Sequence, residues 1–322
     1  MPRKFLLLIV FLCCLFAEAA LGQVSEPILV GVGAEAKWSP NETAIAFRRG
    51  DSLYVKSLSP DKPAQGIYYA PIVSFEWLDD STIATYEKEY YPVKGGRTRV
   101  QRIAKVPLHA PSIEIAKDSL NMNAPRPRFT GFQRFTDGSV GYFDNTNTDN
   151  RPVRLSAPTS NVGRQADSAK QSLFLRTIPE GWGKIFICYG NSVNCRLVTL
   201  SENHYLLPLL SPGRDKLTCH SARGDLVVFD TLGMELANLG RGEMESWSPD
   251  GQHIVLCVTK EAGDPGDIVA SDIYITRWDG TEKKEITSTP NLVEIEPAFS
   301  PSGTKLLYRE HPSGRLYVIG VR

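Results

Sequence analysis

The sequence predicts an all-β chain folded as a β-propeller of four-stranded blades, with seven blades preferred and six as the alternative. Three observations predict it. One phrase, a large apolar residue followed by Ser-Pro, recurs at Trp38-Ser39-Pro40-Asn41, Leu210-Ser211-Pro212-Gly213, Trp247-Ser248-Pro249-Asp250-Gly251 and Phe299-Ser300-Pro301-Ser302-Gly303. Seven and nine positions after each leading residue stand further apolar or thiol side chains: Ile45 and Phe47, Leu217 and Cys219, Ile254 and Leu256, Leu306 and Tyr308. A third apolar run begins 15, 16, 26 and 17 positions after the anchor, at Leu53, Leu226, Ile273 and Leu316.

Each element has a physical reading. The phrase is a tight turn between antiparallel strands: proline presets φ, Asp or Asn bonds back to the local backbone, and Gly accepts a positive φ. A step of two between apolar positions is strand alternation, so those side chains share a face. The aromatic anchor fills the wedge between neighbouring sheets. Turn signals such as Asp279-Gly280 introduce a fourth stretch, Lys284-Glu285-Ile286-Thr287, and four short strands per unit make a propeller blade. Weaker copies start at Phe75-Glu76-Trp77, at Phe132 to Gly138 and near Leu173-Phe174-Leu175. Anchors at 38, 77, about 135, about 174, 210, 247 and 299 give about 42 residues per unit, which suits a blade. The last repeat stops after its third strand, and the run Pro27 to Val32 is expected to supply the missing outer strand and cover an open edge.

Ahead of the repeats, residues 1–22 read as a secretory signal peptide: Arg3 and Lys4, an apolar run from Phe5 to Phe16, then small residues up to Gly22. The apolar run is too short to span a bilayer as a helix. Cleavage is expected before Gln23, or alternatively after Ala19, leaving 23–322 as one domain with no transmembrane segment. Leu12 before Cys13 argues against lipidation. The 36 basic and 36 acidic residues balance without a charge block, which argues against nucleic acid as partner. An exported chain sits where disulfides form. Cys188 and Cys195 flank a short turn and are a candidate bridge, whereas Cys219 and Cys257 read as buried thiols at positions where other repeats carry Phe47 and Tyr308.

The pattern resembles the TolB-like, WD40-like propeller repeat, most closely in 243–287, and the resemblance covers about two thirds of the mature chain. It implies a propeller, often six-bladed in TolB-type proteins, and a periplasmic or secreted location. It concerns the propeller portion alone, so TolB's particular role is not implied.

Catalytic signatures are absent from the sequence. Asp137-Gly138-Ser139-Val140-Gly141 lacks the spacing of a hydrolase elbow, and there is no metalloprotease helix, P-loop or dinucleotide fingerprint. His109, His204, His220, His253 and His311 are scattered. Asn41-Glu42-Thr43 is a formal glycosylation sequon that coincides with a turn. Two insertions between second and third strands are the candidate binding loops, on the face where a propeller's funnel opens. One holds Tyr90, Tyr91, Arg97 and Arg99, residue types that anchor interfaces. The other holds Glu261, Asp264 and Asp267, suited to a basic partner or to calcium; otherwise no cofactor is expected. The sequence therefore reads as a propeller that binds a protein or peptide. A propeller enzyme of lyase, lactonase or glycosidase type and a structural part of an envelope assembly are the alternatives.

Overall fold

A computed structural model describes residues 24–93, 96–109, 114–118, 129–134, 138–144, 152–157, 173–177, 183–189, 195–199, 204–261 and 268–321. Every regular element among them is a strand. After β1 (Ile28–Val32), sheet one is formed by β2 (Ala34–Trp38), β3 (Ala44–Arg49), β4 (Ser52–Ser57) and β5 (Gln65–Tyr69), each hydrogen-bonded to the next. Sheet two follows the same order in β6 (Ile72–Asp79), β7 (Thr82–Val93), β8 (Gly96–Pro107) and β9 (Glu114–Asp118).

Sheets three and four have three strands among the described residues: β10 (Phe129–Arg134), β11 (Val140–Asp144) and β12 (Pro152–Arg154), then β13 (Leu173–Thr177), β14 (Ile185–Tyr189) and β15 (Cys195–Leu197). Sheet five is β16 (Tyr205–Leu210), β17 (Lys216–Ser221), β18 (Asp225–Asp230) and β19 (Glu235–Arg241). Sheet six comprises β20 (Glu243–Trp247), β21 (His253–Glu261), β22 (Ile268–Arg277) and β23 (Lys284–Glu285). Sheet seven comprises β24 (Val293–Phe299), β25 (Lys305–His311) and β26 (Arg315–Gly320), and β1 pairs antiparallel with β26 as its outermost strand. Sheets six and seven are joined by a parallel pairing of Ser271 with Val293.

The core is divided among the gaps between sheets. Phe47, Trp38 and Ile45 pack with Leu307, Leu316 and Val318 between sheets one and seven. Ala46 and Leu53 meet Phe75, Trp77 and Ile83 between one and two. Leu226, Val228, Trp247 and Leu256 fill the gap between five and six. This follows from alternation: each central strand sends successive side chains to opposite neighbours, so both faces are apolar and buried.

The repeated phrase now has a cause for every residue. Each anchor tryptophan donates its indole N–H to the residue before the neighbouring sheet's anchor: Trp77 to Lys37 O at 3.2 Å, Trp247 to Leu209 O at 3.4 Å and Trp38 to Ala298 O at 3.3 Å. The last of these ties sheet one to sheet seven. The serine is buried in all four copies, and its hydroxyl receives the first N–H of the next strand, from Ala44, Lys216, His253 and Lys305. The positive φ falls four residues after the anchor, at Glu42, Arg214, Gly251 and Gly303. In sheet five it is therefore Arg214, not Gly213, that adopts the left-handed conformation.

Two expectations are corrected. The stretches 87–99 and 260–272 are mostly paired strand rather than loop: β7 and β8 pair out to Val93–Gly96, and β21 and β22 out to Glu261–Ile268. Cys257 is not the equivalent of Phe47 and Tyr308; it stands one residue later, in register with Arg48 and Arg309.

Candidate functional site: the first strands at the funnel

Among the first strands, β20 lies beside β24, β2 beside β6, β6 beside β10 and β13 beside β16, as expected of the strands nearest a propeller's axis. Four of these strands carry the same irregularity. Three residues before the anchor the backbone takes a positive φ, at Glu35, Leu207, Met244 and Glu296, and the ladder shifts register across that residue. Such a bulge turns the local side chain out of the pleat. A positive φ in a residue other than glycine costs about 1–2 kcal/mol.

In sheets one and seven the bulge residue is a glutamate held by the arginine ten positions after the anchor. Arg309 grips Glu296 through two hydrogen bonds of 2.8 and 2.5 Å, and Arg48 lies 3.0 Å from Glu35. In sheets five and six the bulge residues are apolar and exposed. Leu207 shows 73% of its surface and Met244 46%, and Leu206 and Leu209 beside them are exposed as well. The residues corresponding to the arginines are His220 and Cys257. His220 crosses to sheet six, where its Nε2 lies 2.8 Å from Glu245 Oε2, and Thr218 donates to the other carboxylate oxygen at 3.0 Å. The hydrogen bond to Glu245 raises the His220 pKa above its ordinary value, although burial opposes it, and the nearby Glu243 adds to the rise. Cys219 and Cys257 are free and buried, and burial pushes both thiols up to about 12, so neither is a reactive thiolate.

The candidate residues read from the sequence lie further out. Tyr90 is exposed on β7, and the register sets Arg99 opposite Tyr90, Thr98 opposite Tyr91 and Arg97 opposite Pro92. Glu261 is exposed at the end of β21, whereas Asp264 and Asp267 lie outside the described residues. The two hairpins rise from sheets two and six. Among the described residues no three carboxylate, imidazole or thiol groups are placed to hold a metal ion. Cys195 is disulfide-bonded, and the backbone sets Cys188 directly opposite it. No described helix is long and apolar enough to cross a membrane. The apolar bulge residues were not singled out from sequence. Aligning the repeats on their anchors and reading three positions upstream would have exposed the alternation between Glu and Leu or Met.

Comparison with known proteins agrees with this architecture. A protein TolB homolog of Chlorobium luteolum is 26% identical over 134 residues, which make up 40% of this chain and only 29% of that protein. Among solved structures, the β-propeller domain of Cps50 (Swd1) from Myceliophteria thermophila is 9% identical with a TM-score of 0.55, covering 93% of this chain and 99% of that one. A chain of a mitotic checkpoint complex is 11% identical with a TM-score of 0.52, covering 94% and 95%. No family model matches. The chain is an all-β propeller. Over the matched 134 residues its repeats are similar to those of a TolB homolog.

Proposed function

We propose that the chain is an exported β-propeller that binds a protein or peptide partner at the mouth of its funnel, through the apolar wall of sheets five and six. The observation that carries this reading is the exposure of Leu206, Leu207 and Leu209 on β16 and of Met244 on β20, two strands linked by the hydrogen bond from Trp247 to Leu209 O. Two of them occupy strained bulge conformations. Contiguous apolar side chains of this kind mark interaction surfaces. The exposed Tyr90 and the arginines of the β7–β8 hairpin, with Glu261 on the β21–β22 hairpin, would add polar contacts at the rim. The seven sheets are read as seven blades in a ring, closed where β1 completes the last blade and Trp38 reaches sheet seven.

Export is supported by the N-terminal pattern and by the bonded Cys195, since disulfides persist in oxidising compartments. We read Cys188 as its partner. The test is crosslinking and co-purification from the native host with the wild type and with Leu207→Glu and Met244→Glu. Recovery of a protein by the wild type and its loss in both variants supports the reading. A partner retained by both variants, or crosslinks that avoid sheets five and six and both hairpins, overturns it.

A further inference from the structure

Three carboxylates are buried where sheets six and seven meet: Asp272 on β22 at 2% exposure, Glu294 on β24 at 3% and Glu310 on β25 at 8%. The ladder sets Glu294 opposite Glu310, and the parallel bridge between Ser271 and Val293 places Asp272 and Glu294 one residue further along their strands. A buried carboxylate is costly unless a cation or several donors compensate it. Lys260 Nζ reaches Asp272 Oδ2 at 2.8 Å, and Arg315 Nη1 lies 3.7 Å from Glu310 Oε2, to which Tyr317 donates at 3.4 Å. Among the described residues no cation lies on Glu294, whose Oε1 accepts from the Thr289 hydroxyl at 3.2 Å. Its Oε2, like Oδ1 of Asp272, is buried with no hydrogen-bond partner. Of the other groups around it, Tyr308 on β25, Tyr317 on β26, Cys257 on β21 and Glu243 on β20 bring no positive charge. Arg309 is taken by Glu296, and His311 stands exposed opposite Val293. The other three strands with the same bulge carry Gly33, Tyr205 and Gly242 at this place, five residues before the anchor, so the fold does not require a carboxylate there.

We infer that Glu294 is kept as the neutral carboxylic acid in the folded chain, and that its ionisation loosens the junction between sheets six and seven, a pH-sensitive latch. The unpaired oxygens are sealed from solvent, and a proton needs no space of its own. It turns Oε2 from an acceptor lacking a donor into a donor, and Oδ1 of Asp272 is the unpaired acceptor at the same junction. Loss of the proton leaves a buried charge between two others, which desolvation and like-charge repulsion both oppose. Burial is the first cause raising the Glu294 pKa above its ordinary 4.5, and Asp272 and Glu310 add to it against the hydroxyls of Thr287 and Thr289. The stabilisation is therefore complete below 4.5 and is lost as the pH rises through the folded value. The latch sits at the wall of the funnel, since β24 lies beside β20, the strand of Met244.

Neither the latch nor its test depends on a partner. Unfolding of wild type and Glu294→Gln is compared from about pH 5 to about pH 8. The amide is neutral like the acid, so the folded-to-unfolded ratio of wild type is expected to fall at least about tenfold relative to the variant over that range. Infrared difference spectra of wild type against the variant are expected to show the carbonyl stretch of a protonated carboxylic acid that persists above about pH 5.5 and vanishes at higher pH. Asp272→Asn removes a like charge and is expected to move that disappearance to lower pH. The Ser271 N–H, bonded to Leu292 O at 3.0 Å across the junction, reports the loosening, and its hydrogen-exchange protection is expected to fall together with the carbonyl band. If Glu294→Gln failed to fold, the wild-type band and the Ser271 amide would still decide. Parallel stability curves, no protonated carboxyl above about pH 5.5, or Ser271 protection indifferent to the loss of the band would each overturn the inference.

Discussion

In sheets one and seven the residue at the bulge is a glutamate, and the arginine ten positions after the anchor lies against it, as Arg309 does on Glu296. In sheets five and six the same backbone distortion holds Leu207 and Met244, and the arginine position is filled by His220 and Cys257. The strain of a positive φ is common to both halves. In one half an ion pair on the bulge side chain offsets it and keeps the wall polar. In the other the bulge side chain is left in solvent, where an aliphatic group gains nothing from folding. The difference separates what the fold requires, the bulge itself, from what it does not, the exposed leucine and methionine. It is the second kind of feature that calls for a ligand.

The largest expected effect tests whether the halves do share one framework. Trp38 and Trp247 make the same indole-to-carbonyl bond across their junctions. Alanine at either position is expected to cost about 3–5 kcal/mol in urea unfolding, and by similar amounts. If Trp38→Ala were nearly neutral, the contact between the first and last sheets would not be a working closure. This part of the fold was legible, because the Trp-Ser-Pro phrase is local and recurs. The bulge was not, since reading strands with a period of two has no place for an extra residue. Gly213 misled for a related reason: it sits in the right phrase, one residue too early to take the positive φ. The long hairpins read as loops in the sequence because Tyr90-Tyr91-Pro92 and Gly95-Gly96 look like breaks, whereas the ladder runs through to Val93 and Gly96.

Next in size is the His220–Glu245 link, which belongs to the apolar half alone. The folded state holds the His220 pKa above its ordinary 6.5, so the link stabilises fully below that value and loses strength as pH rises through the folded pKa. His220→Gln is therefore expected to cost about 1 kcal/mol near pH 5.5 and clearly less near pH 8.5. Parallel stability curves for wild type and variant across that range would remove the charge from the account of this junction.

The two walls are separated most directly by a pair of variants. Arg309→Met leaves Glu296 without its partner and is expected to cost about 1 kcal/mol, as an exposed but bidentate pair should, with partner capture unchanged. Leu207→Glu is expected to change stability by no more than about 0.5 kcal/mol, because the side chain is already in water, while partner capture is lost. If the pattern were reversed, with Arg309 needed for capture and Leu207 for stability, the binding wall would lie on the other half.

The smallest expected effect concerns the turns. Glu42 and Arg214 both adopt a positive φ where the other two copies of the phrase have glycine. Arg214→Gly relieves the strain but frees the unfolded chain and gives up the exposed 3.4 Å hydrogen bond from Arg214 Nη2 to Arg134 O, so the net gain is expected to be at most about 0.5 kcal/mol. Glu42→Gly relieves the same strain, yet Glu42 also accepts hydrogen bonds from the backbone N–H and the hydroxyl of Ser302, across the junction between sheets one and seven. That variant is expected to show no gain, or a slight loss. Thermal midpoints of the two variants measured side by side decide the point. Equal gains would mean that the Glu42–Ser302 contact contributes nothing to closing the first sheet onto the last.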